Sequence, residues 1–472
     1  MSVKTQLAVI GGGPGGYAAA FLAADLGMNV TLIDLEKNPG GVCLYRGCIP
    51  SKALLHVAKL IHEADEAKKW GVDFGEPKID INKLRDFKNG VVTKLTGGLG
   101  QLCKQRKVNY INGRATFVNS NTLSVAKLDG TTEEVIYEKA ILATGSVPAM
   151  IPGFPTDSPR VMDSTAALDI NDVPEKLLVI GGGYIGLELS TVYASLGSKV
   201  TVVEMLPGLL PGADRDMVAV LEKRLKTILD KVYTETKVVE LKDNGKSVVV
   251  KLEGKNVTEP EQTFDKVLVS IGRKPVTTGF GLENTNVKVN QRGFVIVDKQ
   301  LKTDDPNIYA IGDIVGGAML AHKASAEGKV AVESILGHKV AFEPNAIPAV
   351  VFTDPEIAWA GLTETEAREK GIKVEVAKFP WGASGRATTL DRNDGMTKLI
   401  IEPETERILG VAIVGVGAGD MIAEGTLAIE MGAVVKDLEL TIHPHPTLSE
   451  TMMFAAELFY GHATDMYRPK RK

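Results

Sequence analysis

Two of the chain's three cysteines, Cys43 and Cys48, lie with four residues between them in the stretch Gly40-Gly41-Val42-Cys43-Leu44-Tyr45-Arg46-Gly47-Cys48-Ile49-Pro50-Ser51-Lys52. A close pair in a cysteine-poor chain points to metal binding or redox chemistry more than to a structural bridge. Zinc would want four ligands, and His56 and His62 are the only extra donors close by. The plain alternative is a pair of small buried hydrophobes. Pro50 suits the first turn of a helix, and the residues from Ile49 to Trp70 read as one helix. Cys48 then stands at its N-terminal end, where free amides and the macrodipole favour a thiolate. Lys52, four residues on, adds positive charge on the same face. That combination is suited to redox work.

The elements that must position this stretch are legible on both sides of it. A short apolar strand, Leu7 to Ile10, runs into Gly11, Gly13 and Gly16. A helix follows to Leu26, then a second strand, Val30 to Ile33, that ends in Asp34. Glycines there allow a tight turn and close approach of a pyrophosphate to a helix start, and the acid accepts from an adenosine ribose. The whole unit recurs 170 residues later as Gly181, Gly183, Gly186 and Glu204, with 18 residues from last glycine to acid in both copies. Two dinucleotide-binding domains follow from this duplication. Each has a later strand that ends in glycine, at Gly145 and at Gly272, and a further strand runs into Gly312-Asp313, an acid placed to meet a ligand hydroxyl. Leu54, Val57, Ala58 and Ile61 form an apolar helical stripe for core packing, and Cys103 reads as an inert buried thiol. After about Asn345 no third glycine fingerprint occurs, and the pattern becomes that of an α+β domain. We expect domains at 1–150, 151–278, 279–345 (completing the first) and 346–472.

Composition narrows the class. The chain has 472 residues, 44% hydrophobic, a formal net charge of −5 and no long charged block beyond the tail of Arg468, Lys470, Arg471 and Lys472. Nothing calls for nucleic acid. No secretory signal is evident and no apolar run is long enough for a membrane span, so a cytoplasmic protein is expected. A dithiol donates electrons as thiolate, so a base is needed, and histidine suits neutral pH. His443 and His445 both precede prolines and are biased to extended backbone, where they would share a face but only one would reach a given sulfur.

Taken together, Gly11 to Gly16, Gly41 to Lys52, Ala143-Thr144-Gly145, Gly181 to Glu188, Gly312-Asp313 and His443 to Glu450 resemble the flavin disulfide reductases of the pyridine nucleotide class over essentially the full length. Within that class the likeness is to the branch that oxidises dihydrolipoamide for 2-oxo acid dehydrogenase complexes. The resemblance implies an α/β fold with two Rossmann-like domains, for FAD and NAD, and a C-terminal α+β dimerisation domain. FAD would be held by Gly11, Gly13, Gly16, Asp34, Lys52, Thr144, Gly145, Gly312, Asp313 and Ala321. NAD would be held by Gly181, Gly183, Gly186, Glu204 and Gly272. It further implies a Cys43–Cys48 redox disulfide, with Cys43 the interchange thiol and Cys48 the thiol against the flavin. Lys52 would pair with Glu188. His445, after a cis bond to Pro446, would be the base, supported by Glu450 and supplied across a homodimer interface, while His443 stays structural. No metal is implied. The expected partners are a second copy of the chain, a lipoyl domain and the E2 acyltransferase core.

Glu204 would bind a free ribose hydroxyl and repel a 2′-phosphate, and no arginine follows it, which favours NAD over NADP. Glutathione reductases usually have basic residues around that position, and they usually carry lysine where Ser51 stands; mercuric reductases share most of the parts. A flavoprotein that only senses redox state would leave His445 and Glu450 idle. Two departures from the family pattern are Tyr45-Arg46 in place of Asn-Val, and Pro444 in place of a smaller residue.

Overall fold

The computed structural model describes residues 2–467; the basic tail at 468–472 lies outside them. Strand β1 (Ser2–Ile10) leads through the first glycine turn into helix α1 (Pro14–Asp25) and strand β2 (Val30–Asp34). β1 lies parallel to β2 on one side and, from Glu134 to Leu142, to the strand Thr132–Leu142 on the other. The strand Ile308–Ala310 returns much later in the chain to lie parallel to Thr132–Leu142. Fully buried Leu7, Ala8, Val9, Leu32 and Ile141 explain why these strands read as continuous apolar runs: both faces of the sheet are covered. An antiparallel meander, Asn109–Asn119, Thr122–Lys127 and Thr132–Leu142, extends this sheet.

The second unit repeats the plan. Five parallel strands run in the order Lys231–Tyr233, Lys199–Val203, Lys176–Ile180, Lys266–Val269 and Val161–Met162. It also carries a three-stranded antiparallel meander. Neither meander was anticipated, because their alternation is broken by turns and charged residues. A short antiparallel ribbon, Ser146–Pro148 against Arg273–Pro275, ties the two units where the chain leaves one and re-enters the other. The C-terminal part is a five-stranded antiparallel sheet with helices on it, around a core of Trp381, Phe379 and Phe454. Among the described residues no helix is long and apolar enough to cross a membrane.

The cysteine stretch forms two helices where the sequence suggested one. Helix α2 (Gly41–Arg46) carries Cys43, Gly47 breaks the helix, and α3 (Cys48–Glu66) begins on the second cysteine; its last turn tightens to a 3₁₀ segment, Ala67–Trp70. Gly41 is required here: its φ is +56°, and a Cβ there would lie 2.5 Å from the Gly13 Cα. The apolar stripe of α3 packs Leu54 and Leu55 into a core shared with Leu187, Leu189 and Val192 of the second unit's helix. That packing sets Lys52 opposite Glu188.

Candidate active site

A cavity of about 820 Å³ lies along the carboxyl ends of the first unit's strands. Its wall includes Gly11, Gly13, Asp34, Cys43, Cys48, Lys52, Thr144, Gly145, Gly312, Asp313 and Ala321, so nearly all the residues expected around FAD share one space. Gly16 lies behind the turn, where a Cβ would meet the Gly11 carbonyl oxygen at 1.8 Å. The wall also reaches Tyr184, Ile185 and Glu188 of the second unit.

The residues suit a dinucleotide. Gly13 precedes α1 without a side-chain cap, leaving the helix's first amides open to an anion. The Asp34 carboxylate takes the Gly12 amide at 2.5 Å and the Glu36 amide at 2.8 Å, one on each oxygen, and keeps lone pairs for ribose hydroxyls. Asp313 accepts from the Ser146 hydroxyl, which in turn accepts from Arg273 Nε at 2.7 Å. Thr144 turns its hydroxyl to the Val276 carbonyl at 2.5 Å, so its part in the wall is structural.

Cys43 and Cys48 are free thiols, hydrogen-bonded to each other, not joined as the implied disulfide. That contact divides their acidity. Cys48 is lowered to about 7, first because it accepts from the Cys43 thiol, with burial opposing and Lys52 assisting. Cys43 is raised, by the same hydrogen bond and by burial. The first proton to leave the pair therefore comes from Cys48, at the start of α3. Cys103 is buried and pushed up to about 11 by desolvation, as expected of an inert thiol.

Lys52 Nζ donates to Glu188 at 2.8 Å and lies 4.5 Å from the centroid of the Phe352 ring. The Phe352 amide holds the other Glu188 oxygen at 3.0 Å, so the C-terminal part of the chain helps to fix this pair. His62, the nearby imidazole weighed as a zinc ligand, is engaged with the Ser195 hydroxyl at 2.8 Å.

The second glycine turn lies outside the cavity wall, but its backbone reproduces the first. Glu204 takes the Gly182 amide at 2.7 Å and the Leu206 amide at 2.7 Å, and Gly183 leaves its helix uncapped. Gly186 lies behind this turn as Gly16 does behind the first, and Gly272 has a φ of +118° beside Arg273.

His445 and Glu450 are far along the chain and are not in the cavity wall. His445 Nδ1 lies 2.9 Å from Glu450 Oε1, Glu450 Oε2 accepts the Thr447 amide at 2.8 Å, and the His445–Pro446 bond is cis. The imidazole is 78% exposed above a carboxylate that is 8% exposed. The two histidines do not share a strand face: residues 442–448 form a loop, and His443 turns inward. Its Nδ1 meets the Thr441 carbonyl at 2.8 Å and its Nε2 meets Glu424 at 2.7 Å. The Thr441 carbonyl can only accept, so Nδ1 donates to it, and the hydrogen bond to Glu424 holds His443 above the ordinary histidine value.

Sequence reading missed Ser146, Arg273, Glu36, Tyr184 and Phe352. Ser146 and Arg273 directly follow the two strand-end glycines, which was a usable signal. Phe352 had none.

Two dinucleotide turns, a thiol pair at a helix start and a separate C-terminal sheet define a class of disulfide reductase. The chain belongs to the pyridine nucleotide-disulphide oxidoreductase family, matching its principal domain over residues 5–328 and its dimerisation domain over 347–456. It is 51% identical over its full length, and over 98% of the relative, to a dihydrolipoyl dehydrogenase of Vibrio cholerae. Against one of Geobacillus stearothermophilus it is 46% identical, covering 98% of this chain and 97% of the relative. Among solved structures it resembles LpdA of Mycobacterium tuberculosis with a TM-score of 0.89 at 26% identity, covering 96% of this chain and 99% of that one. It also resembles the HOCl-induced flavoprotein disulfide reductase RclA of Escherichia coli, with a TM-score of 0.85 at 30% identity and coverage of 96% and 99%.

Proposed function

We propose that this chain is an oxidoreductase that converts dihydrolipoamide to lipoamide and passes the electrons, through FAD, to NAD⁺. The observation that carries the reading is the Cys43–Cys48 pair set beside Lys52–Glu188 in a cavity whose far end is the first dinucleotide turn. When bound, FAD supplies two-electron acceptance from a thiolate and hydride donation to the nicotinamide.

The residues' own part divides into thiol exchange and proton handling. A substrate thiolate attacks Cys43 Sγ of the oxidised pair, the Cys43–Cys48 bond breaks, and Cys48 leaves as thiolate. The substrate's second thiol, its proton taken by His445, displaces Cys43 and closes lipoamide. Glu450 supports the imidazolium formed in that step. The low value of Cys48 suits a thiolate leaving group near neutral pH.

Glu204 supports NAD over NADP, because a carboxylate there accepts a ribose hydroxyl and repels a phosphate. The division at 1–150, 151–278, 279–345 and 346–472 fits this scheme. The dimerisation domain supports a homodimer, and its exposed Leu427, Met431, Leu440 and Ile442 give it apolar surface to bury. In that dimer each cavity takes its cysteines from one chain and His445 with Glu450 from the other. Lipoyl domains and an E2 acyltransferase core are the matching macromolecular partners. The test is NAD⁺ reduction by dihydrolipoamide, with the flavin spectrum recorded, against glutathione and NADPH as alternatives. Turnover with dihydrolipoamide and NAD⁺ is expected; its absence in flavin-loaded protein would defeat the reading.

A further inference from the structure

Tyr45 and Arg46, where the cysteine stretch departs from its family's pattern, make contacts that the thiol chemistry does not use. Arg46 closes α2, three residues from Cys43 and so on the same helical face. Cys43 and Arg46 line the cavity, and so do Asp34, Leu35 and Glu36 at the end of β2 and just after it. The Arg46 guanidinium donates through Nη2 to the Glu36 carboxylate. Tyr45 donates its hydroxyl to the Asn38 carbonyl at 3.0 Å. Two successive side chains thus fasten the cysteine helix to the loop that follows the ribose acid.

Glu36 is itself firmly placed. Its amide donates to Asp34 at 2.8 Å, and its carbonyl accepts from Asn112 Nδ2 at 2.8 Å and from the Tyr110 hydroxyl at 2.7 Å. The pair is half-buried, with 37% of the arginine and 27% of the glutamate side chain exposed. One of five guanidinium N–H donors is spent on Glu36, and Arg46 lines the same cavity as Asp34. Asp34 and Glu36 are both acidic, so a diphosphate brought there needs a compensating cation. Arg46 is the cation those contacts place beside them.

We infer that Arg46, held by Glu36, is a further binding residue for the adenosine-diphosphate half of the dinucleotide in the first unit. The guanidinium offers charge-assisted bonds to ribose or phosphate oxygens, and the Glu36 contact keeps its fork oriented. The inference rests on the FAD reading above. Because Arg46 shares α2 with Cys43, cofactor retention and the placement of the interchange thiol become linked through one short helix.

The test uses full-length apoprotein, made by stripping flavin, and titrates FAD, ADP and FMN against wild type, Arg46→Val, Arg46→Lys and Glu36→Gln. Arg46→Val should weaken FAD and ADP each by about tenfold and leave FMN unchanged. Arg46→Lys, which keeps the charge and loses the fork, should lose about threefold. Unchanged FAD and ADP binding in Arg46→Val would overturn the inference, as would an equal loss of FMN. If Arg46→Val does not fold, Arg46→Lys and Glu36→Gln decide, since wild-type affinity for ADP in both contradicts the proposal. Wild-type protein that binds no FAD would instead remove the reading on which it rests.

Discussion

The two glycine-turn units are the same device carried to different ends. Gly11 and Gly181 have φ values of +107° and +111°, and the middle glycine amides reach Asp34 and Glu204 at 2.5 and 2.7 Å. Six residues past each acid the correspondence still holds: Gly40 donates to the Gly12 carbonyl at 2.7 Å, and Leu210 to the Gly182 carbonyl at 3.0 Å. Beyond that residue the copies part. The first chain turns through Gly41, presses on Gly13 and builds two cysteine helices over the turn. The second runs on to its next helix, Arg215–Ile228, and its glycines do not line the cavity of the first. On the proposed reading the first turn keeps FAD and the second exchanges NAD, and the difference between the copies begins at Gly41.

The largest effect that would sharpen this contrast lies in the added helices. Cys48→Ser should lower dihydrolipoamide-dependent NAD⁺ reduction by at least about a thousandfold with FAD content unchanged. A loss below tenfold would separate the thiol pair from the reaction. Matched acid deletions should have unlike outcomes. Asp34→Ala should purify with little flavin, whereas Glu204→Ala should keep its FAD and raise KM for NAD⁺ by roughly tenfold or more. Loss of FAD in both would contradict the assignment of separate tasks.

Glycine substitutions probe the same divergence through stability. Gly41→Ala adds a Cβ at positive φ against the Gly13 backbone and should cost about 2–4 kcal/mol. Gly183→Ala has no atom within 4 Å of the added carbon and should cost less than about 1 kcal/mol. Thermal melts of the apoproteins measure both, and equal shifts would refute the role given to Gly41.

The smallest effect concerns His443, the inward-turned neighbour of the base. Its folded value is raised by Glu424, so its stabilisation is fully present below the ordinary value of about 6.5 and is lost as pH rises through the raised value. Glu424→Gln should therefore melt earlier than wild type at about pH 6, by the equivalent of about 1 kcal/mol, with the gap closing in alkali. A gap that widens with pH would reverse the assignment.

Much of this was legible from residue order. Glycine spacing, strand-end acids and apolar runs report local backbone demands, so both turns, Asp34, Glu204 and the placement of Cys48 at a helix start could be read directly. What resisted was pairing over distance. The ribbon that joins Ser146 to Arg273, and the Phe352 amide that fixes Glu188, depend on how separate units dock, which no local pattern encodes. The short helix α2 before Gly47 was hidden because Leu44, Tyr45 and Arg46 are acceptable in helix or loop alike. The inward turn of His443 was hidden because a histidine before proline only implies extended backbone, not which way its ring points.

The central claim is that the thiol pair and its base come from different chains of a dimer. Mixing Cys48→Ser and His445→Gln proteins, each inactive alone, and letting subunits re-associate tests it directly. Half the dimers should be mixed, each with one intact site of two, so dihydrolipoamide oxidation should return to about a quarter of the wild-type rate. No recovery, with subunit exchange verified by differently tagged chains, would place both parts of the site in one chain and contradict the account.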